Sequence, residues 1–236
     1  MKTGPFFTPI VGLTLILFIS CGANNPIDNE KKIVVGDTSS VTDIDGNVYK
    51  TIKIGNQIWM AENLKTIRYR NGDPIPNITD NTTWNNLSTG AYCDYNNSPS
   101  NSHTYGRLYN WFAVNDNRGL APDGWHVPSD AEWMTLINHL GGLNVAGGKL
   151  KETGIVHWQN ANAGATNVVG FTALPGGFRG LSGAFGDIGV SAYIWSATED
   201  NINKAWFYHM NRSYPTIERI NYDKYHGFSV RCIKNQ

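Results

Sequence analysis

Residues 124–142 restrict the possible folds more than any other stretch, because only here does the chain carry every mark of a self-contained helix. Ser129 is followed three residues later by Glu132, the spacing of a capping box, with Pro128 ahead of it. Asp130 and Glu132 sit at the positive end of the helix dipole, and Gly141-Gly142 supplies the stop. Trp133, Leu136, Ile137 and Leu140 recur at i, i+3, i+4 and i+7, so one apolar stripe faces a core. Almost everything else reads as strand, turn or loop. The helix must therefore pack on a sheet assembled from distant segments, and one domain with an N-terminal tail is expected.

The tail reads as an export signal. Lys2 precedes the apolar run 10–19, which is short for a membrane span, and Ser20-Cys21 follows. Ile19-Ser20-Cys21-Gly22 resembles a bacterial lipobox, which implies removal of residues 1–20 and lipidation of Cys21, with a membrane attachment through that anchor. The alternative is an ordinary secretory signal or membrane anchor. Loss of Lys2 with the signal leaves one more acidic than basic residue, so nucleic acid is not an expected partner. Residues 21–40 are polar and read as a flexible tether, with Ile33-Val34-Val35 as a possible edge strand. The expected location is the outer membrane or cell surface of a Gram-negative bacterium.

From residue 41 the pattern predicts short strands joined through Asp45-Gly46 and Gly55-Asn56. Asp43-x-Asp45-Gly46-Asn47 has the opening of a calcium loop, but the twelfth loop position falls on Ile54 rather than Glu, which favours a plain turn. Residues 66–104 form a long irregular region carrying Trp84, Tyr92 and Tyr95, either functional or packed by its own side chains. A second short helix is expected over 145–152, with Val145 and Leu150 inward and Gly147 and Gly148 as a cost. Segments 205–210, 216–220 and 228–233 alternate and predict a terminal three-strand meander.

Several motifs, in order, carry a family resemblance: residues 41–49, Gln57-Ile58-Trp59-Met60-Ala61-Glu62-Asn63-Leu64, Tyr105-Gly106-Arg107-Leu108-Tyr109-Asn110-Trp111, residues 124–133, Ala173-Leu174-Pro175-Gly176-Gly177, Trp195-Ser196-Ala197-Thr198-Glu199 and Gly227-Phe228-Ser229-Val230-Arg231-Cys232. The chain resembles the Fibrobacter succinogenes major paralogous domain, a family of secreted proteins and lipoproteins. His126-Val127-Pro128-Ser129-Asp130-Ala131-Glu132-Trp133, Gly176-Gly177-Phe178-Arg179 and Gly227-Phe228-Ser229-Val230-Arg231 are distantly similar to the formylglycine-generating enzyme and sulfatase-modifying-factor group. That similarity implies a C-type-lectin-like α+β domain over 41–236, with few short helices, a small mostly antiparallel sheet and long loops.

The enzymes of that group use two reactive cysteines near the chain end to hold copper, whereas here only Cys232 lies in the C-terminal half and Cys93 lies in the loop region. The six histidines show no ligand spacing, and no nucleophile elbow or phosphate loop is present, so neither metal nor cofactor is expected. After export, Cys93 and Cys232 are expected to pair as a disulfide; two separately buried thiols are the alternative. Trp84, Tyr95, Tyr193 and Trp195, with Glu199 and Asp200, are the candidate ligand-binding residues, offering stacking faces and hydrogen bonds to sugars. Trp59, Trp111, Trp125, Trp133 and Trp206 read as core. The expected function is a non-catalytic surface-binding or adhesion module, with loops 66–104, 180–192 and 199–203 contacting a glycan or a surface protein. The alternatives are a structural or protein-interaction lipoprotein without a small ligand and, further off, an oxidoreductase.

Overall fold

The computed structural model describes residues 39–236, together with Met1 and Gly4. The expected signal 1–20, lipidation at Cys21 and strand at Ile33-Val34-Val35 lie outside the described residues. In chain order the elements are β1 (Ser40–Thr42), β2 (Val48–Ile54), β3 (Gln57–Met60), α1 (Asn81–Asn85), β4 (Tyr92–Cys93), α2 (Pro99–Tyr105), β5 (Leu108–Tyr109), α3 (Trp111–Val114) and β6 (Trp125–His126). There follow α4 (Asp130–His139), α5 (Leu143–Leu150), β7 (Gly176–Arg179), β8 (Phe185–Ile188), β9 (Ser191–Glu199), β10 (Lys204–Asn211), β11 (Ile217–Asp223) and β12 (Ile233–Lys234). The fold mixes short helices with two five-stranded sheets, ordered β1-β2-β3-β12-β6 and β11-β10-β9-β7-β8. Pairing is antiparallel throughout both, except where β7 runs parallel to β9.

Local chemistry accounts for the first hairpin and for α4. Asp43 accepts hydrogen bonds from the backbone N–H groups of Asp45 and Asn47 and from the Tyr49 hydroxyl, so its carboxylate is consumed in shaping the turn. Asp45 is likewise taken up by Thr66, Ile67 and Arg68. At α4 the capping box is complete: Ser129 Oγ accepts from Glu132 N and the Ser129 N–H donates back to the Glu132 carboxylate. Its end has Gly141 at φ 99° and the Gly142 N–H donating to Ile137 O at 2.9 Å, a left-handed stop that glycine adopts without strain.

The buried stripe of α4 meets both sheets. Trp133 stacks on Tyr208 of β10 at 4.6 Å and touches Trp59 of β3 at 4.9 Å, within a core that includes Leu136, Ile137, Leu140, Ile194 and Met210. Thus one face of β9–β10–β11 is covered by helices. The opposite face carries Tyr193, Trp195, Phe207 and Ile220, on which Phe228 packs, and borders a second core.

Four expectations change. The second helix starts at Leu143, two residues early, and Val145 is 41% exposed; Ala146 and Leu150 face inward instead. Its glycines permit contact, since a Cβ on Gly147 would lie 2.1 Å from Thr216 O and one on Gly148 2.3 Å from Gly164 O. The meander is β9–β10–β11, because residues 224–232 leave that sheet, bridging Tyr109 and Ile194 on the way to β12 in the other. Region 66–104 holds α1, β4, a short 3-10 turn at Tyr95–Asn97 and most of α2, and it buries Tyr69, Trp84, Cys93 and Tyr95, so it is packed by its own side chains.

The expected disulfide is also absent: Cys93 and Cys232 are both free and buried. Cys93 packs among Trp84, Ala91, Tyr95 and Leu108, whereas Cys232 packs with Tyr49, Met60 and Val230 in a different cluster. The two thiols are packed in separate clusters and are not bonded to each other.

Candidate functional site

The candidate binding residues separate once they are placed. Trp84 and Trp195 are 0% exposed and Tyr95 is 6% exposed, so none offers a face to a ligand. Trp84 lies under the Arg179 guanidinium at 4.4 Å, and the Trp195 indole N–H donates to Tyr109 O. Glu199 is exposed but paired with Lys224, and Asp200 accepts from Asn201 and Asn221, which makes this cluster a hydrogen-bonded turn. Trp206, expected in the core, is half-buried beneath Arg219, whose guanidinium lies 3.4 Å from its ring. Tyr193, by contrast, borders an open hollow.

That hollow is a cleft of about 270 Å³ on the free face of β9–β10–β11, lined by aromatic rings with His209, Glu218 and Ile220. Register builds it. Tyr193 pairs with His209 across β9 and β10, and His209 with Glu218 across β10 and β11, which places alternate residues of three strands on one face. The rings form a ladder: Tyr193 stacks on His209 at 4.7 Å and on Phe228 at 5.2 Å, and Phe178 meets Tyr193 edge-on at 5.2 Å. Phe207, His226 and Phe228 are buried as the floor, while Tyr222 at the rim is 45% exposed.

The polar atoms have definite partners. A carboxylate only accepts, so His209 Nδ1–H donates to Glu218 Oε2 at 2.7 Å, and His209 Nε2 has no partner among the described residues. The Tyr193 hydroxyl donates to Asp187 at 2.6 Å, and burial beside that carboxylate raises its pKa well above the ordinary phenol range. His226 Nδ1 bonds Asp223 O, and burial lowers its pKa, which keeps the ring neutral. Among the described residues no Lys or Arg lines the cleft. Such a surface can hold an apolar or ring-shaped group and fix it by one exposed carboxylate.

The two thiols do not suit copper. Burial pushes the Cys93 thiol up to about 12 and the Cys232 thiol higher still, and they sit in separate clusters. Among the described residues no group of three or more His, Cys, Asp or Glu side chains is arranged to hold a metal ion.

The family model for the Fibrobacter succinogenes major domain matches residues 52–234. The chain belongs to this family. No curated protein and no solved structure matches it. The matched part of the Fibrobacter succinogenes major domain contains the whole cleft, from Phe178 to Phe228. It also contains Arg179 and Arg231, buried residues of the Gly-Gly-Phe-Arg and Ser-Val-Arg-Cys motifs, which donate to backbone carbonyls of distant loops.

Sequence reading missed Phe178, Phe207, His209, Glu218, Ile220, Tyr222, His226 and Phe228. The available signal was the alternation in 205–210 and 216–220, which puts Phe207, His209, Glu218 and Ile220 on one face if the strands pair antiparallel.

Proposed function

We propose that the chain is a non-catalytic, lipid-anchored surface module that binds carbohydrate in the cleft bordered by Tyr193, Glu218 and Tyr222. The observation that carries this reading is the coincidence of exposed ring surface with a free carboxylate oxygen on one rigid sheet face. Sugars present C–H faces to aromatic rings and hydroxyls to acceptors, and a pre-formed, mostly apolar hollow with few polar groups is the usual form of a small-ligand site. Under this reading the architecture is C-type-lectin-like and the binding face is a sheet rather than the three loops. The distant similarity to the formylglycine-generating group then concerns scaffold alone.

Tyr222→Ala in the full-length protein tests the site, because the ring is exposed and its loss leaves the core intact. Binding of glycan-array hits should weaken at least about tenfold, the scale of removing one aromatic anchor, without a shift in thermal midpoint. Unchanged affinity for every hit would place the site elsewhere. The anchor is tested separately: globomycin should cause an unprocessed, larger form to accumulate, and unaltered processing would exclude lipidation at Cys21.

A further inference from the structure

The hydrogen-bonding groups around the cleft are arranged with a bias in polarity. His209 Nδ1–H is committed to Glu218, the Tyr193 O–H to Asp187 and the His226 Nδ1–H to the Asp223 carbonyl. These donors are turned onto protein acceptors, which leaves the Tyr222 hydroxyl as the side-chain donor at the rim. What remains for a ligand is chiefly acceptor: Glu218 uses one carboxylate oxygen for His209, and its side chain is 55% exposed.

Charge points the same way. The nearby cations are occupied elsewhere: Lys224 pairs with Glu199, Arg219 with Asp130, and Arg179 is buried against the carbonyls of Ile78 and Thr79. A protonated amine is the ligand group with several donors and no acceptor, and aromatic ring faces attract it. The negative side chain at the rim of a ring-lined hollow is therefore complementary to an ammonium and repels carboxylate or sulfate.

We propose that the cleft selects amino sugars bearing a free, protonated amine, the ammonium donating to the outward oxygen of Glu218 while the sugar ring lies along the aromatic wall. This rests on the glycan reading above and adds its specificity. His209 acts as a positioning residue by holding the other Glu218 oxygen.

The test is calorimetric titration of the full-length protein with hexamers of glucosamine, N-acetylglucosamine and glucose. A charge-assisted hydrogen bond predicts that the glucosamine hexamer binds about tenfold or more tightly than the other two. The same preference should fall to about one in Glu218→Gln, which keeps the acceptor for His209, with its thermal midpoint confirming the fold. Equal binding of the three hexamers overturns the amine selectivity and leaves the glycan reading standing. Absence of binding to all three and to a glycan array overturns both. A preference that survives in Glu218→Gln overturns the assignment to this carboxylate, and tighter capture of Nα-acetyl-lysine amide than of glucosamine overturns the sugar occupant in favour of a peptide amine.

Discussion

Lys151, Arg179 and Arg231 are each fully buried, and each binds mainly backbone carbonyls. Lys151 Nζ donates to the carbonyls of Ala163, Asn211 and Tyr214. Arg179 donates to the carbonyls of Gly183, Ile78 and Thr79, and Arg231 to those of Phe171 and Thr172 and to Asn63 Oδ1. Irregular backbone leaves carbonyls that no sheet ladder satisfies, and a buried cation with several donors satisfies many of them from one point. Burial also lowers the Lys151 pKa to about 8 from an ordinary 10.5. The folded state then releases its proton before the unfolded state does, so this group's cost is full below pH 8 and is relieved as pH rises toward 10.5. Thermal melts from pH 7.5 to pH 10 should show the wild type gaining stability relative to Lys151→Met, which has no proton to lose. A pH-independent difference between the two would show that Lys151 titrates normally. The arginines appear in the sequence as motif letters, but what they hold was not legible, because their partners lie as far as 168 residues away.

At the scale of elements, α4 was legible because its capping box, stripe and stop are all local. Helix α5 was only partly so. Helix propensity gives Gly148→Ala a gain of about 1 kcal/mol. The folded packing reverses that sign, because the new Cβ would lie 2.3 Å from Gly164 O and Gly148 N donates to Pro215 O at 2.7 Å. Gly148→Ala should therefore destabilise by about 1 to 3 kcal/mol in chemical denaturation, the cost of overpacking; stabilisation would show that the 164 and 215 loops move aside freely. The cleft was illegible for a related reason. Phe207, His209, Glu218 and Tyr222 become neighbours only through the β10–β11 register, and Phe228 joins them only because residues 224–232 cross between sheets instead of extending the meander. Trp84 is buried because an aromatic residue in a polar, irregular segment can be the plug that packs the segment, and Trp195 because the alternation of β9 turns it into the core with Phe207 and Phe228.

Across the whole described domain, stability comes from packing and hydrogen bonding without a covalent staple. Cys93 and Cys232 should resist a thiol reagent in the native protein and both react after denaturation, and a reductant should leave the thermal midpoint unchanged. A midpoint that falls on reduction would reveal a bridge.

Strand β12 lies between β3 and β6 in the first sheet, with Ile233 opposite both Trp59 and His126. Residues made near the start of the domain thus wait for a partner made near its end. Such non-local pairing gives a high contact order, and loop-closure entropy must be overcome before the contacts form, so folding should be slow and late. Until Ile233 and Lys234 are synthesised, β6 has no strand to join it to β3, and closing the first sheet falls to the last residues of the chain to be made.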